Sequence, residues 1–103
     1  MIVRIWNART TRENAPAYYG QLEAAVFPVM RNVKGFVDAE VLEREDGGEI
    51  EIIVVSRWAT MAAVRAFAGD AFERAVVTPA ARAVLTSFDD QVAHYKVKAE
   101  CKP

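Results

Sequence analysis

A β-hairpin pattern in the middle of the chain constrains the fold more strongly than any other local feature. Two strand-like runs, Phe36–Glu45 and Glu49–Trp58, are separated by Asp46-Gly47-Gly48. A short loop with Asp-Gly and a second glycine supplies the positive φ angles that a tight hairpin turn needs. The sequence therefore predicts an antiparallel pair of strands, around which the remaining segments must be arranged.

The first part of the chain predicts a strand followed by a helix. Met1–Ala8 is rich in β-forming residues and is apolar on both faces of the strand. Apolar residues recur at steps of three and four from Ala15 to Val29, which predicts an amphipathic helix. Pro28 lacks a backbone donor and should kink or end this helix.

Two details of this helix stay open. It begins either with a capping box formed by Thr10 and Glu13 or at Asn14. Tyr18 and Tyr19 are adjacent and cannot both face the core, so we expect one to line a cavity and the other to face solvent.

The second half of the chain predicts shorter elements. Thr60 as an N-cap and Gly69 as a stop bound a helix. Thr78-Pro79 pairs an N-cap with a proline at the first helical position. Three further segments are predicted as one or two helical turns, a short helix and a last strand: Asp70–Val77, Ala80–Phe88 and Gln91–Ala99.

This order of elements predicts an α+β fold of the ferredoxin-like, split βαβ type, with one antiparallel sheet and helices on a single face. We expect residues 1–103 to form one domain. The first strand is apolar on both faces, and Ile53 and Val55 add apolar side chains to the face without helices. A chain of this length with 52% apolar residues is therefore expected to form a homodimer, as a dimeric α+β barrel.

Charge and composition narrow the classes of partner. The net charge of −1 and a pI near 5.8 argue against a nucleic-acid-binding protein. The N-terminus carries Arg4 and Arg9 in place of a signal-peptide run, and the apolar run Ile52–Val55 is far too short to span a membrane. Cys101 is the single cysteine, so no intrachain disulfide forms. We expect a cytoplasmic protein.

Few residues remain that could carry chemistry. The chain has no phosphate-binding loop, no nucleophile motif and only one histidine, so we expect no protein-held metal. Asn7, Trp58 and His94 are the candidates. Each also has a structural interpretation: Asn7 as a satisfied strand-end residue, Trp58 as core, and His94 as a structural side chain.

The whole chain resembles the antibiotic biosynthesis monooxygenase family. The resemblance runs from MIVRIWNART through VVSRWATMAAVRAF to FDDQVAHYKV, and the Ser-Arg-Trp before a Thr-capped helix is its most recognisable part. It implies a dimeric α+β barrel. The family's characterised members include cofactor-free oxygenases that convert anthrone-type polyketides to quinones, and related haem-degrading enzymes.

Site residues follow in part from this resemblance. The family pairs an asparagine on the first strand with a tryptophan at the end of the third, positions that Asn7 and Trp58 occupy. The haem-degrading branch needs a histidine after that tryptophan, and residues 70–78 contain none. We do not accept His94 as a substitute, so no haem or other cofactor is expected.

These residues are consistent with a cofactor-free oxygenase acting on a small hydrophobic ligand. Asn7 and Trp58 would lie together on the helix-covered face and donate hydrogen bonds to an oxyanion. His94 would act as the base. An apolar lining would hold the substrate: Val3, Ile5, Leu22, Phe67 and Phe72. The alternative is a non-catalytic dimeric ligand-binding or stress-response domain with the same cavity.

Overall fold

Strand β1 (Ile2–Thr10) lies inside an antiparallel sheet in the computed structural model, which describes residues 1–103. The strand order is β2 (Phe36–Asp46), β3 (Glu49–Trp58), β1 and then β4 (Ser87–Phe88). Strand β5 (Ala93–Lys96) pairs with the other half of β1. This is the ferredoxin-like order, and the predicted fold class is confirmed.

The predicted hairpin is confirmed, with a first strand one residue longer than expected. Asp46 pairs with Glu49, so Gly47 and Gly48 alone form the turn. Their φ angles of 61° and 84° lie in the left-handed region, where glycine carries no steric penalty.

The first helical region contains a π-helical turn. Helix α1 (Ala15–Gln21) continues through the π-turn Leu22–Val26 into helix α2 (Phe27–Arg31). Pro28 has no N–H for the carbonyl four residues earlier, and the helix widens before it without ending.

The π-turn corrects one predicted core position. We expected Val29 to face the core, but Val29 is 51% exposed, whereas Met30 is 3% exposed. The extra residue in a π-turn rotates the following residues around the helix axis, which moves the buried face by one position. The sequence contains no local signal for that shift other than Pro28.

Two capped helices complete the cover of the sheet. Helix α3 (Met61–Ala68) begins where the Thr60 hydroxyl accepts a hydrogen bond from the Ala63 N–H at 3.1 Å. Helix α4 (Pro79–Val84) begins in the same way at Thr78. Both predicted N-caps are confirmed.

The segment between these helices differs from the prediction. Residues 70–73 form turns, Arg74 pairs with Gln91 as an isolated β-bridge, and residues 75–77 are irregular, because backbone groups of this segment bond to distant residues. The Ala75 N–H donates to the Asp90 carbonyl, and the Glu73 carbonyl accepts from Val92. The expected helix to Phe88 ends at Val84, since residues 87–88 pair with β1 as strand β4.

The sheet has two different faces. Even-numbered residues of β1 and β3 lie under the helices, and they include the fully buried Ile52 and Trp58. Odd-numbered residues lie on the face without helices, which we call the open face. No helix of the chain is both long and apolar enough to cross a membrane.

Candidate functional site

A small cavity lies between the covered face of the sheet and the helices. Its volume is about 40 Å³, enough for a few water molecules but smaller than the ~150 Å³ that holds a benzene ring. Nine of its eleven lining residues are hydrophobic. The lining comprises Arg4, Trp6, Tyr18, Leu22, Val26, Met30, Val54, Ser56, Phe67, Val76 and Val92.

Arg4 is a buried cation in the wall of this cavity. It is 5% exposed, and its guanidinium donates to the carbonyl of Phe72 at 2.7 Å and reaches that of Arg74 at 3.5 Å. Its central carbon also lies 5.7 Å from the Phe67 ring centre, a cation–π distance. Burial lowers the pKa of Arg4 to about 10, so the side chain stays charged at pH 7.

His94 faces Arg4 across the pair of strands β1 and β5. The His94 Nε2 lies 2.9 Å from the Arg4 guanidinium. Because arginine can only donate, Nε2 accepts, and the proton of the neutral ring belongs on Nδ1. Burial lowers the pKa of His94, and the charge of Arg4 lowers it further against a smaller opposing effect of Glu73.

Trp58 does not line the cavity, but its indole bonds to a residue that does. The indole N–H donates to the Ser56 hydroxyl oxygen at 2.9 Å, and the ring is fully buried between Phe36 and Phe67. Since the Ser56 oxygen accepts this bond, the Ser56 proton can be donated elsewhere. Ser56 lines the cavity, whereas Trp58 does not.

Arg4 and Ser56 form a cross-strand pair. They are direct partners in the register of β1 and β3, and both point to the covered face. Side chains so paired start about 5 Å apart at their Cβ atoms, so both can reach one ligand atom.

Tyr18 supplies a further hydroxyl. It is 2% exposed, lines the cavity and makes no hydrogen bond through its hydroxyl group to the protein. Burial raises the pKa of Tyr18, which keeps the phenol protonated at neutral pH. Tyr19 instead bonds to Glu43 at the surface, so the expected division between the two tyrosines is confirmed.

The expected convergence of Asn7 and Trp58 is wrong. Asn7 pairs with Ile53 on the open face, whereas Trp58 pairs with Ile2 on the covered face. The strands are antiparallel, so the end of β1 lies beside the start of β3. The two residues are about 17 Å apart along the strands, from ~3.3 Å per residue. Asn7 lies in a shallow groove of the open face.

The expected lining is also divided between the two faces. Leu22 and Phe67 line the cavity, but Val3 and Ile5 have the parity of Asn7 and lie on the open face. Phe72 lies beside the cavity, where its carbonyl accepts from Arg4 and its ring contacts His94.

Sequence reasoning missed Arg4 and Ser56 as site residues. The available signal was parity, because both share the strand face of Trp58 once the strands are paired in register. A second signal was the charge of Arg4, because the residues that share its strand face nearby, Ile2 and Trp6, are apolar. A charge at a core position is costly unless a partner stabilises it.

The donor set does not fit a haem iron. His94 is the single imidazole, and its Nε2 already faces Arg4. No cluster of three metal-ligating side chains is present. The expectation that the protein works without a cofactor stays a prediction.

Comparisons with known proteins agree with this architecture. The family model described as antibiotic biosynthesis monooxygenase matches residues 1–83. A Bacillus cereus protein assigned to the same group is similar over 100% of this chain and 96% of its own, with 18% identity and a TM-score of 0.73. No curated protein sequence matches this chain significantly.

Two structures of similar fold come from proteins with different activities. SnoaB of Streptomyces nogalater, a cofactor-independent oxygenase, is 23% identical, with 96% and 95% of the two chains covered and a TM-score of 0.61. The heme-degrader MhuD of Mycobacterium tuberculosis, with two hemes in its active site, is also 23% identical. Its match covers 99% and 100% of the chains with a TM-score of 0.63. At these identities the likeness shows the fold alone.

Fold and cavity together define a ferredoxin-like α+β domain with a small, mostly apolar cavity between its sheet and its helices. The family match covers most of the chain. The protein belongs to the antibiotic biosynthesis monooxygenase family.

Proposed function

We propose that this protein is a cofactor-independent monooxygenase that oxidises a small hydrophobic aromatic or polyketide-type substrate with O2. One observation carries the proposal: nine of the eleven lining residues are hydrophobic, and the other two, Arg4 and Ser56, face each other across two strands. Donors fixed in an apolar site stabilise a developing oxyanion far better than water does. This is what an oxygenase without a cofactor requires.

The reaction balances without a cofactor. A methylene group next to a carbonyl loses a proton and becomes an enolate, which transfers an electron to O2. Combination of the two radicals gives a peroxide, and loss of water leaves a new carbonyl group, so that one methylene and one O2 become one ketone and one water molecule. Arg4 and Ser56 hold the enolate oxygen, and Trp58 positions the Ser56 hydroxyl.

His94 is our proposed proton acceptor. Its lowered pKa keeps the ring neutral at pH 7, which is the form that a base needs. Its Nε2 becomes free when Arg4 turns its N–H groups toward the ligand oxygen. Ser56 takes the role that the sequence suggested for Asn7.

We further propose that the protein acts as a cytoplasmic homodimer. The open face carries Tyr95 at 56% exposure and Leu42 at 46%, beside Ile5 and Ile53. An apolar sheet face of this kind is typical of a surface that another subunit covers.

Oxygen uptake tests the activity directly. Purified protein should consume O2 with anthrone-type substrates, in a one-to-one ratio with the new ketone group formed. Ser87, exposed on β4, allows a matched control: Ser56→Ala should lose uptake and Ser87→Ala should retain it. Uptake equal in both variants would contradict the proposed role of Ser56.

A non-catalytic binding domain is the second candidate. The observation that favours it is that His94, the single imidazole, does not line the cavity, so no base lies beside a bound ligand. Saturable ligand binding with no oxygen uptake for any substrate tested would establish this alternative.

A further inference from the structure

Every polar side chain that lines the cavity can donate a hydrogen bond to a ligand. Arg4 contributes guanidinium N–H groups, Ser56 a hydroxyl whose oxygen already accepts from Trp58, and Tyr18 a hydroxyl without a protein partner. No acidic or amide side chain lines the cavity. Such a wall suits a ligand group that only accepts.

The charge of Arg4 has no carboxylate partner. Its side-chain bonds go to two backbone carbonyls and to neutral His94. Arg9, on the open side of the same strand, instead has Asp46 and Glu49 within 3.2 Å. Arg9 is a neutralised surface cation, whereas Arg4 is a buried cation with an uncompensated charge, which a bound anion would stabilise.

We propose that the cavity selects an aryl anion, a flat apolar ring that carries one negatively charged oxygen, and that this oxygen binds between the Arg4 guanidinium and the Ser56 hydroxyl. This inference rests on the proposed function for the place of the ligand, but it concerns binding and not turnover. Cross-strand pairing lets both groups reach one atom. The remaining apolar lining, including Phe67 and Val54, would contact the ring once the cavity widens.

Entry of a ring requires the cavity to widen near Val76. Val76 lines the cavity and is 47% exposed, so it lies where the cavity meets the surface. It belongs to residues 70–77, which form no helix and bond to Arg4 through the carbonyls of Phe72 and Arg74. A ligand that takes N–H groups of Arg4 loosens the segment that covers it.

Binding of matched anionic and neutral probes tests this inference on the wild-type protein. The pairs are 4-nitrophenol with 4-nitroanisole and 4-nitrobenzoate with methyl 4-nitrobenzoate, measured by calorimetry without any oxidisable substrate. We expect at least one anion to bind about 10- to 100-fold more tightly than its neutral partner, the range of a charge-assisted hydrogen bond. The pair with the larger ratio of anion to neutral affinity shows whether the cavity prefers a phenolate or a carboxylate. Equal affinity within both pairs would overturn the proposal.

Two variants identify the source of the preference. Arg4→Met keeps an unbranched stem without the guanidinium and its charge and should abolish the preference, whereas Arg12→Met, at an exposed site, should retain it. Thermal melting checks that Arg4→Met is folded. If it is not, Ser56→Ala should still reduce the preference several-fold, and an unchanged preference there would contradict the geometry.

Oxygen uptake measured on the same samples separates the two proposals. Anion preference without uptake would leave the binding inference in place and remove the oxygenase proposal. Oxygen uptake without anion preference would support the oxygenase proposal and contradict the binding inference.

Discussion

The two faces of the sheet are built from the same strands and differ in how their polar groups are satisfied. On the covered face, Arg4 and Ser56 are buried and bonded within an apolar layer. On the open face, Arg57 pairs with Asp38 and Glu40 at the surface while apolar neighbours such as Ile5 stay partly exposed. The covered face therefore suits the proposed ligand, and the open face suits the proposed contact between subunits.

The largest effect is expected from a charge on the open face. Ile5→Glu places a carboxylate opposite Val55, at the centre of the proposed dimer contact. A desolvated unpaired charge there should convert a dimer of about twice 11.4 kDa into a monomer. Light scattering at micromolar concentration measures this.

A matched control is available on helix α2. Val29 is 51% exposed and lies away from the open face, so Val29→Glu should leave the mass unchanged. A wild-type protein that is monomeric at micromolar concentration would contradict the proposal that a second subunit covers the open face.

The next largest effect, a loss of turnover, is expected when polar side chains on the two faces are each replaced by alanine. Ser56→Ala removes a donor to the developing oxyanion, which costs roughly 2.7–4 kcal/mol in the barrier, or about a hundredfold or more in turnover. Asn7→Ala should change turnover little, because Asn7 points away from the cavity. Steady-state rates per folded molecule measure both. A hundredfold loss in Asn7→Ala would place the site on the open face.

A smaller effect is expected from the indole that positions Ser56. Trp58→Phe keeps most of the ring packing and loses the N–H that bonds to Ser56. One neutral hydrogen bond contributes about 1 kcal/mol, so turnover should fall about fivefold. Ser87→Ala, on the exposed strand β4, is the control and should leave turnover unchanged.

The fold could be predicted from the sequence because its signals are local. The Gly47-Gly48 turn and the N-caps Thr60 and Thr78 depend on backbone requirements that a few adjacent residues satisfy. Strand alternation was equally visible, since Asn7 shares a strand face with Val3 and Ile5, and Trp58 shares one with Ile52 and Val54. What failed was the comparison between strands, because the antiparallel register had to be applied before two residues could be placed together.

The site depends on contacts that are distant in the sequence. Arg4 bonds to the carbonyls of Phe72 and Arg74 and to His94, which lie about 70 to 90 residues further along the chain. Residues 70–77 lose their predicted helix to the same kind of contact. Periodicity describes which face of an element is apolar, but not which distant donor takes a given carbonyl group.

The smallest effect is expected from the protonation of His94, since this side chain is only partly buried. Folding lowers the pKa of His94 below its ordinary value of about 6.5, through burial and the facing charge of Arg4, while Glu73 acts in the opposite direction. The unfolded chain then binds more protons than the folded one. The stability that neutral His94 contributes is therefore complete above pH 6.5 and decreases as the pH falls through that value toward the folded-state pKa.

His94→Gln removes this titration and keeps an acceptor for Arg4, so its melting temperature should fall less than that of the wild type between pH 7.5 and about 5.5. If the melting temperatures of the two proteins changed equally with pH, folding would not lower the pKa of His94, and the charge of Arg4 would not act on the ring beside it.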